Sequence, residues 1–94
     1  MINGTTSVSI TLSWNPPLEP NGVIEGYDVM YYDKDYPNKK NMTDNVKGRV
    51  HTIPDLEPFR YYLIRVACKS SGGLGPYSEW VENRTNPGGK CLLV

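Results

Sequence analysis

Val8, Ile10, Leu12 and Trp14 alternate with Ser9, Thr11 and Ser13, and the run stops at Asn15-Pro16-Pro17. Alternation with a period of two describes a strand with one buried face. A proline pair has no N–H to give to a ladder, so strand pairing must end there. Asn21-Gly22 then turns the chain, and Tyr27, Val29 and Tyr31 begin a second alternating strand. A tryptophan closing one strand, a proline-rich crossing and a tyrosine-rich strand after it predict a β-sandwich, with the chain passing from one sheet to the other.

The rest of the chain continues in short strands. Residues 7–15 and 26–33 form the first two, and a weaker one follows over 42–46, broken by Gly48. Val50 to Ile53 is closed by Pro54-Asp55, and Phe59 to Lys69 is the longest strand. Its inward face is Tyr62, Ile64, Val66 and Cys68. Residues 70–76 hold three glycines and read as a flexible hairpin loop. Tyr77 to Thr85 returns as the final strand, and Asn86-Pro87-Gly88-Gly89 ends the domain. The expected organisation is one domain over 1–87 with a tail or linker over 88–94.

Composition narrows the function classes. A chain of 94 residues makes one domain, and chains of this size bury about 60–65% of their extended surface, enough for a small core without metal or disulfide. Ten basic residues balance ten acidic ones, so there is no electrostatic footprint for nucleic acid. No run is apolar enough to cross a membrane and no signal peptide is seen, so no direct membrane contact is expected, and Met1 reads as an added start on an excised domain. Eight prolines and nine glycines among short apolar runs favour an all-β fold. Catalysis finds no foothold: His51 is the sole histidine, without a nucleophile motif beside it, and reads as a packed or half-exposed strand residue. No metal-ligand spacing, carboxylate dyad or phosphate loop is visible, so neither cofactor nor metal is expected. Gly72-Gly73-Leu74-Gly75 lies between strands, whereas a phosphate cradle needs a helix start after it.

The chain resembles the fibronectin type III family over residues 5–87. The resemblance rests on Ser7 to Trp14, Pro16-Pro17, the run Asn21-Gly22-Val23-Ile24-Glu25-Gly26-Tyr27, Leu56-Glu57-Pro58 with Tyr62 and Val66, Gly75-Pro76-Tyr77-Ser78, and Thr85-Asn86-Pro87. It implies an immunoglobulin-like β-sandwich of seven strands, with A, B and E in one sheet and C′, C, F and G in the other. Leu56-Glu57-Pro58 with Tyr62 is similar to the tyrosine corner, whose phenol bonds back to the backbone. A buried tyrosine needs such a partner in any case. One departure stands at the start. Only Met1 to Thr6 precede Ser7, so the first strand is expected to be short or missing. A missing first strand would leave the next one with an open edge, prone to self-association unless the apolar Leu92-Leu93-Val94 covers it.

Alternation also selects an outer face. With Tyr27, Val29, Tyr31, Tyr62, Ile64, Val66 and Val81 inward, Met30, Tyr32, Leu63, Arg65 and Trp80 point outward together, beside Asp28 and Ala67. Aromatic, methionine and arginine side chains are the types enriched at binding cores, and these five are the candidate partner-binding residues for a protein ligand. The plainer alternative has Arg65 lying over Trp80 and shielding it. Tyr77-Ser78-Glu79-Trp80-Val81 also looks like a degenerate Trp-Ser-x-Trp-Ser box of class I cytokine receptors, with Arg65 as the interleaved arginine.

Asn3, Asn41 and Asn83 each open an N-x-Ser/Thr glycosylation pattern, against about one match expected by chance from eight Asn and twelve Ser plus Thr. They and the family resemblance point to an extracellular or secreted module. The implied function is non-catalytic: protein interaction or spacing within a cell-surface receptor or adhesion protein, like modules of receptor tyrosine phosphatases. A cytokine-receptor-like ligand-binding domain and a structural spacer in an intracellular or bacterial array are the alternatives. Cys68 reads as a buried free thiol. Cys91-Leu92-Leu93-Val94 has the form of a prenylation box, which the glycosylation patterns speak against.

Overall fold

The computed structural model describes residues 2–16, 22–36 and 41–86. Eight strands are found among them: β1 (Ile2–Thr5), β2 (Ile10–Ser13), β3 (Ile24–Asp33), β4 (Met42–Val46), β5 (Val50–Ile53), β6 (Tyr61–Ser70), β7 (Gly73–Tyr77) and β8 (Val81–Arg84). They form two sheets, β1-β2-β5 and β4-β3-β6-β7, with β8 also paired to β6. The first sheet takes the places of A, B and E in the family scheme, and the second those of C′, C, F and G.

The inner faces meet as the alternation predicts. Ile10, Leu12 and Ile53 come from the smaller sheet, and Tyr27, Val29, Tyr31, Tyr62, Ile64 and Val66 from the larger; all are buried. Each such apolar side chain contributes roughly 1.5–3 kcal/mol by leaving water. Trp14 stands just past β2 and meets Tyr27 edge-on, ring centres 5.4 Å apart. Cys68 is half-buried against this core with a free thiol. Cys91 and the residues after it lie outside the described residues.

The first strand is present and short. Strand β1 pairs antiparallel with β2, Thr5 opposite Ile10 and Gly4 opposite Thr11. Strand β2 is therefore interior, between β1 and β5, and the open edge anticipated there is closed. The link is tight: Thr6 N–H donates to Ser9 O at 2.9 Å, and the two hydroxyls lie 2.6 Å apart. This turn corrects the reading of 7–15 as one strand. Val8 sits in the turn and is 48% exposed, so the inward row begins at Ile10.

At the crossover after β5, Tyr62 Oη accepts the Glu57 N–H at 2.9 Å. The corner expected from Leu56-Glu57-Pro58 is formed, and burial pushes the Tyr62 phenol above its usual range. Asp55 and Phe59 adopt left-handed backbone (φ 58° and 55°) to make the bend. Thr85 locks it: its hydroxyl donates to Glu57 O at 2.6 Å and accepts Arg60 N–H at 3.0 Å.

The other end of β6 differs from expectation. Ser70 pairs with Gly73 and Lys69 with Leu74, so the glycine-rich stretch is mostly strand β7, and the turn is confined to Ser71-Gly72. Gly22 packs against that turn at φ 107°, where an added Cβ would collide with Ser71 Oγ, while Val23 and Ser71 exchange hydrogen bonds. Nor is 77–85 one continuous strand. Tyr77 pairs with Ala67 and Val81 with Ile64. Four steps on one side therefore match three on the other, a bulge of one residue. Ser78 anchors it, its N–H donating to Val66 O at 2.7 Å and its Oγ accepting Val66 N–H at 3.0 Å.

Candidate functional site

The bulge decides what the outer face of the larger sheet presents. In an unbroken strand Tyr77 and Trp80, three positions apart, would point to opposite faces. With one extra residue between them both lie outward, on either side of Arg65. The Arg65 guanidinium carbon stands 4.2 Å from the centre of the Tyr77 ring and 4.3 Å from that of Trp80. Nη2 of the same guanidinium approaches Met30 Sδ at 3.5 Å. Tyr32 closes the group, meeting Trp80 edge-on at 5.2 Å with the planes 89° apart.

Four of the five predicted partner-binding residues, Met30, Tyr32, Arg65 and Trp80, thus form one chain of contacts. Leu63 lies beside them in the ladder, opposite Tyr32 on β3 and Glu82 on β8. Tyr77 joins the site although the alternation did not select it. Its signal was the partial likeness to the Trp-Ser-x-Trp-Ser box, in which it holds the place of the first tryptophan. Ala67 points outward by register yet is 2% exposed, being a small residue between the longer Asp28 and Tyr77 in the ladder.

The Arg65 charge is held by ring faces and sulfur. Its Nε is buried without a hydrogen-bond partner among the described residues, as is Asp28 Oδ1. Each cation–π contact contributes about 0.5–2 kcal/mol depending on desolvation, which is what retains a half-buried guanidinium there. Trp80 remains 38% exposed at the rim of the stack.

A second cluster of the same chemistry occupies the far end of this face. Arg84 lies 4.2 Å from the Phe59 ring centre and 5.3 Å from that of Tyr61. Lys34 Nζ binds Glu82 Oε1 at 2.7 Å and lies 5.4 Å from the Tyr61 ring. Arg60 binds the buried Asp33 at 3.0 Å and covers Tyr36. Phe59, Tyr36 and Tyr61 are all exposed. This cluster draws on two loops and three strands with no common spacing, so alternation along the chain does not reveal it.

His51 and the glycosylation patterns fall in distinct environments. His51 is half-buried on β5, with Nε2 2.8 Å from Asp44 Oδ2 on β4. The pair bridges the sheets beside a groove of about 630 Å³ that Tyr31, Leu56 and Tyr62 also line. Asn3 and Asn41 are exposed, and Asn41 Nδ2 points at Met30 Sδ, 3.8 Å away. Asn83 is half-buried, and its Oδ1 accepts the Thr5 hydroxyl at 3.0 Å.

Known proteins agree with this architecture. The sequence profile of the Fibronectin type III domain matches residues 1–84. The chain is 40% identical over 70 residues to the chicken (Gallus gallus) Ephrin type-B receptor 5, covering 74% of this chain and 7% of that protein. It is 38% identical over 89 residues to the rat (Rattus norvegicus) Receptor-type tyrosine-protein phosphatase F, covering 92% of this chain and 4% of that one. It therefore spans less than a tenth of the length of these curated relatives. The solution structure of the fn3 domain of human contactin 1 superposes with a TM-score of 0.83 at 22% identity, over all of this chain and 79% of that one.

Proposed function

The chain belongs to the fibronectin type III family, and from that membership we propose that it is a non-catalytic, extracellular module of a larger cell-surface receptor or adhesion protein. A protein-interaction or spacer role is what such modules supply in the receptor and phosphatase relatives. The domain proper is residues 1–87, with 88–94 a tail or linker to a neighbouring domain. Its partner is a protein ligand, taken on the outer face of the larger sheet.

One observation carries this reading. Met30, Tyr32, Arg65, Tyr77 and Trp80 are drawn from three strands and a bulge into a single contact chain on the outer sheet face, with Trp80 exposed at its rim. Binding cores are built from these residue types, and a pre-stacked arginine loses little rotamer freedom when a partner seats on it. Leu63 extends the surface toward the Arg84 cluster. The exposed sequons at Asn3 and Asn41 fit the extracellular placement; Asn83, with its amide oxygen occupied, is the weaker acceptor.

A second reading draws on the same stack. With Arg65 already between two rings, the face is self-satisfied and the module is a spacer. The test is a partner screen with the full receptor ectodomain, comparing wild type with the Trp80→Ala, Tyr32→Ala pair. The binding reading expects at least about a tenfold loss of affinity, the weight of one hot-spot contact. Unchanged affinity leaves the spacer.

A further inference from the structure

Asn41 stands at the rim of the outer face, and its side chain reaches the aromatic stack through a short series of contacts. Asn41 Nδ2 lies 3.8 Å from Met30 Sδ. That sulfur lies 3.5 Å from Arg65 Nη2, and the Arg65 guanidinium lies 4.3 Å from the Trp80 ring centre. Strand register gives the same placement. Met42 pairs with Tyr31 and Thr43 with Met30, so Asn41 comes level with Tyr32, whose ring meets Trp80. Asn41 and Thr43, the two recognition residues of the sequon, are exposed on the side of β4 that continues this face.

We propose that an N-linked glycan on Asn41 folds back over Met30, Tyr32 and Trp80, so that the outer face carries either the sugar or a protein partner. The inference rests on the extracellular reading above, since only the secretory route supplies the sugar. In the transfer, Nδ2 of Asn41 bonds to the anomeric carbon of a lipid-pyrophosphate-linked oligosaccharide. The bond from that carbon to the pyrophosphate oxygen breaks, the lipid pyrophosphate leaves, and one amide proton is lost to base. The nitrogen that receives the sugar is the atom that faces Met30.

Chemistry favours the contact. A pyranose has an apolar face of C–H groups and a rim of hydroxyls, which matches an amphipathic ring such as the exposed Trp80. Asn3, on β1 in the other sheet, has no aromatic platform on this face and serves as the internal comparison. Asn83 is half-buried with its amide oxygen accepting the Thr5 hydroxyl, away from the Trp80 platform.

The experiment is secretion of the 94-residue chain from a eukaryotic host behind a cleaved signal peptide, with occupancy of each asparagine read by peptide mass. Endoglycosidase release of the Asn41 sugar from the folded protein is then expected to be about two- to tenfold slower than in Trp80→Ala, the protection ordinary ring stacking supplies. Nuclear Overhauser contacts between the first sugar and the Trp80 indole in the wild-type glycoprotein give a second readout that needs no variant. Equal release rates without such contacts overturn the proposal, and so does an unoccupied Asn41. The parent's natural compartment is read separately, by glycan mass on the protein from its own host. Failure of the extracellular reading is thereby distinguished from failure of the sugar to stack.

Discussion

Arg65 and Arg84 lie on the same outer face, each against aromatic rings, and they hold their charges in different ways. Arg65 is half-buried, with a ring on either side and a sulfur at its edge. Arg84 covers the exposed Phe59 and Tyr61 at the end of the sandwich, where water reaches the cluster freely. The difference comes from the backbone beneath them. A bulge clamps Arg65 between two residues of one returning chain segment. Arg84 meets one ring from its ladder neighbour, Tyr61, and another from a strained loop residue, Phe59. The same pair of chemical groups thus makes a built platform in one place and a solvated decoration in the other.

Ser78→Ala tests that explanation most severely. It removes the hydroxyl that accepts the Val66 N–H across the bulge. A loss of about 2–3 kcal/mol in unfolding free energy is expected, since a buried donor is left unpaired beneath the stack. Denaturant unfolding followed by Trp fluorescence reads it. A variant as stable as wild type would refute the Ser78 anchor as what holds the bulge in place.

A paired substitution has an intermediate effect. Arg65→Ala removes two ring contacts at a half-buried position and is expected to cost about 1–2 kcal/mol, while Arg84→Ala costs less than about 1 kcal/mol. Equal midpoints for the two variants in urea would erase the distinction between the clusters.

Alkaline pH separates the ends of the face with the smallest effect. Tyr62 lies in the ladder beside the Arg84 end, next to Tyr61 and opposite Asn83, and Tyr31 lines the same groove as Tyr62. Burial holds both phenols above the usual 10.0, and nearby Asp44 and Asp55 add to the shift at Tyr31. Unfolded tyrosines release their protons first, so stability intact below pH 10 falls as pH rises toward the folded values. By pH 10.5 the loss stays under about 1 kcal/mol per tyrosine. Amide exchange at Glu57 and Thr85 should accelerate before that at Val66 and Ser78. Simultaneous acceleration, or a Tyr62→Phe variant with the same alkaline slope as wild type, would argue against this assignment.

Much of this was legible in the chain. The inward row from Ile10 through Val66 follows from period-two patterning, and the corner from a tyrosine that needs a partner beside a proline-bearing turn. The glycines at 72, 73 and 75 misled because glycine weakens a strand only locally, and pairing along β6 outweighs that preference. Val8 misled because a turn and a strand end share the same alternation. Tyr77 escaped because parity counting assumes an unbroken ladder.

The sequence by itself determined which residues turn inward and that the chain is a two-sheet sandwich, because burial of alternate side chains is a property of neighbouring positions. The tertiary structure alone decided that β1 closes the edge of β2, that a single extra residue sets Tyr77 and Trp80 around Arg65, and that Asn41 looks onto Met30. Those are relations between segments far apart in the chain, and they exist only once the strands have taken their register.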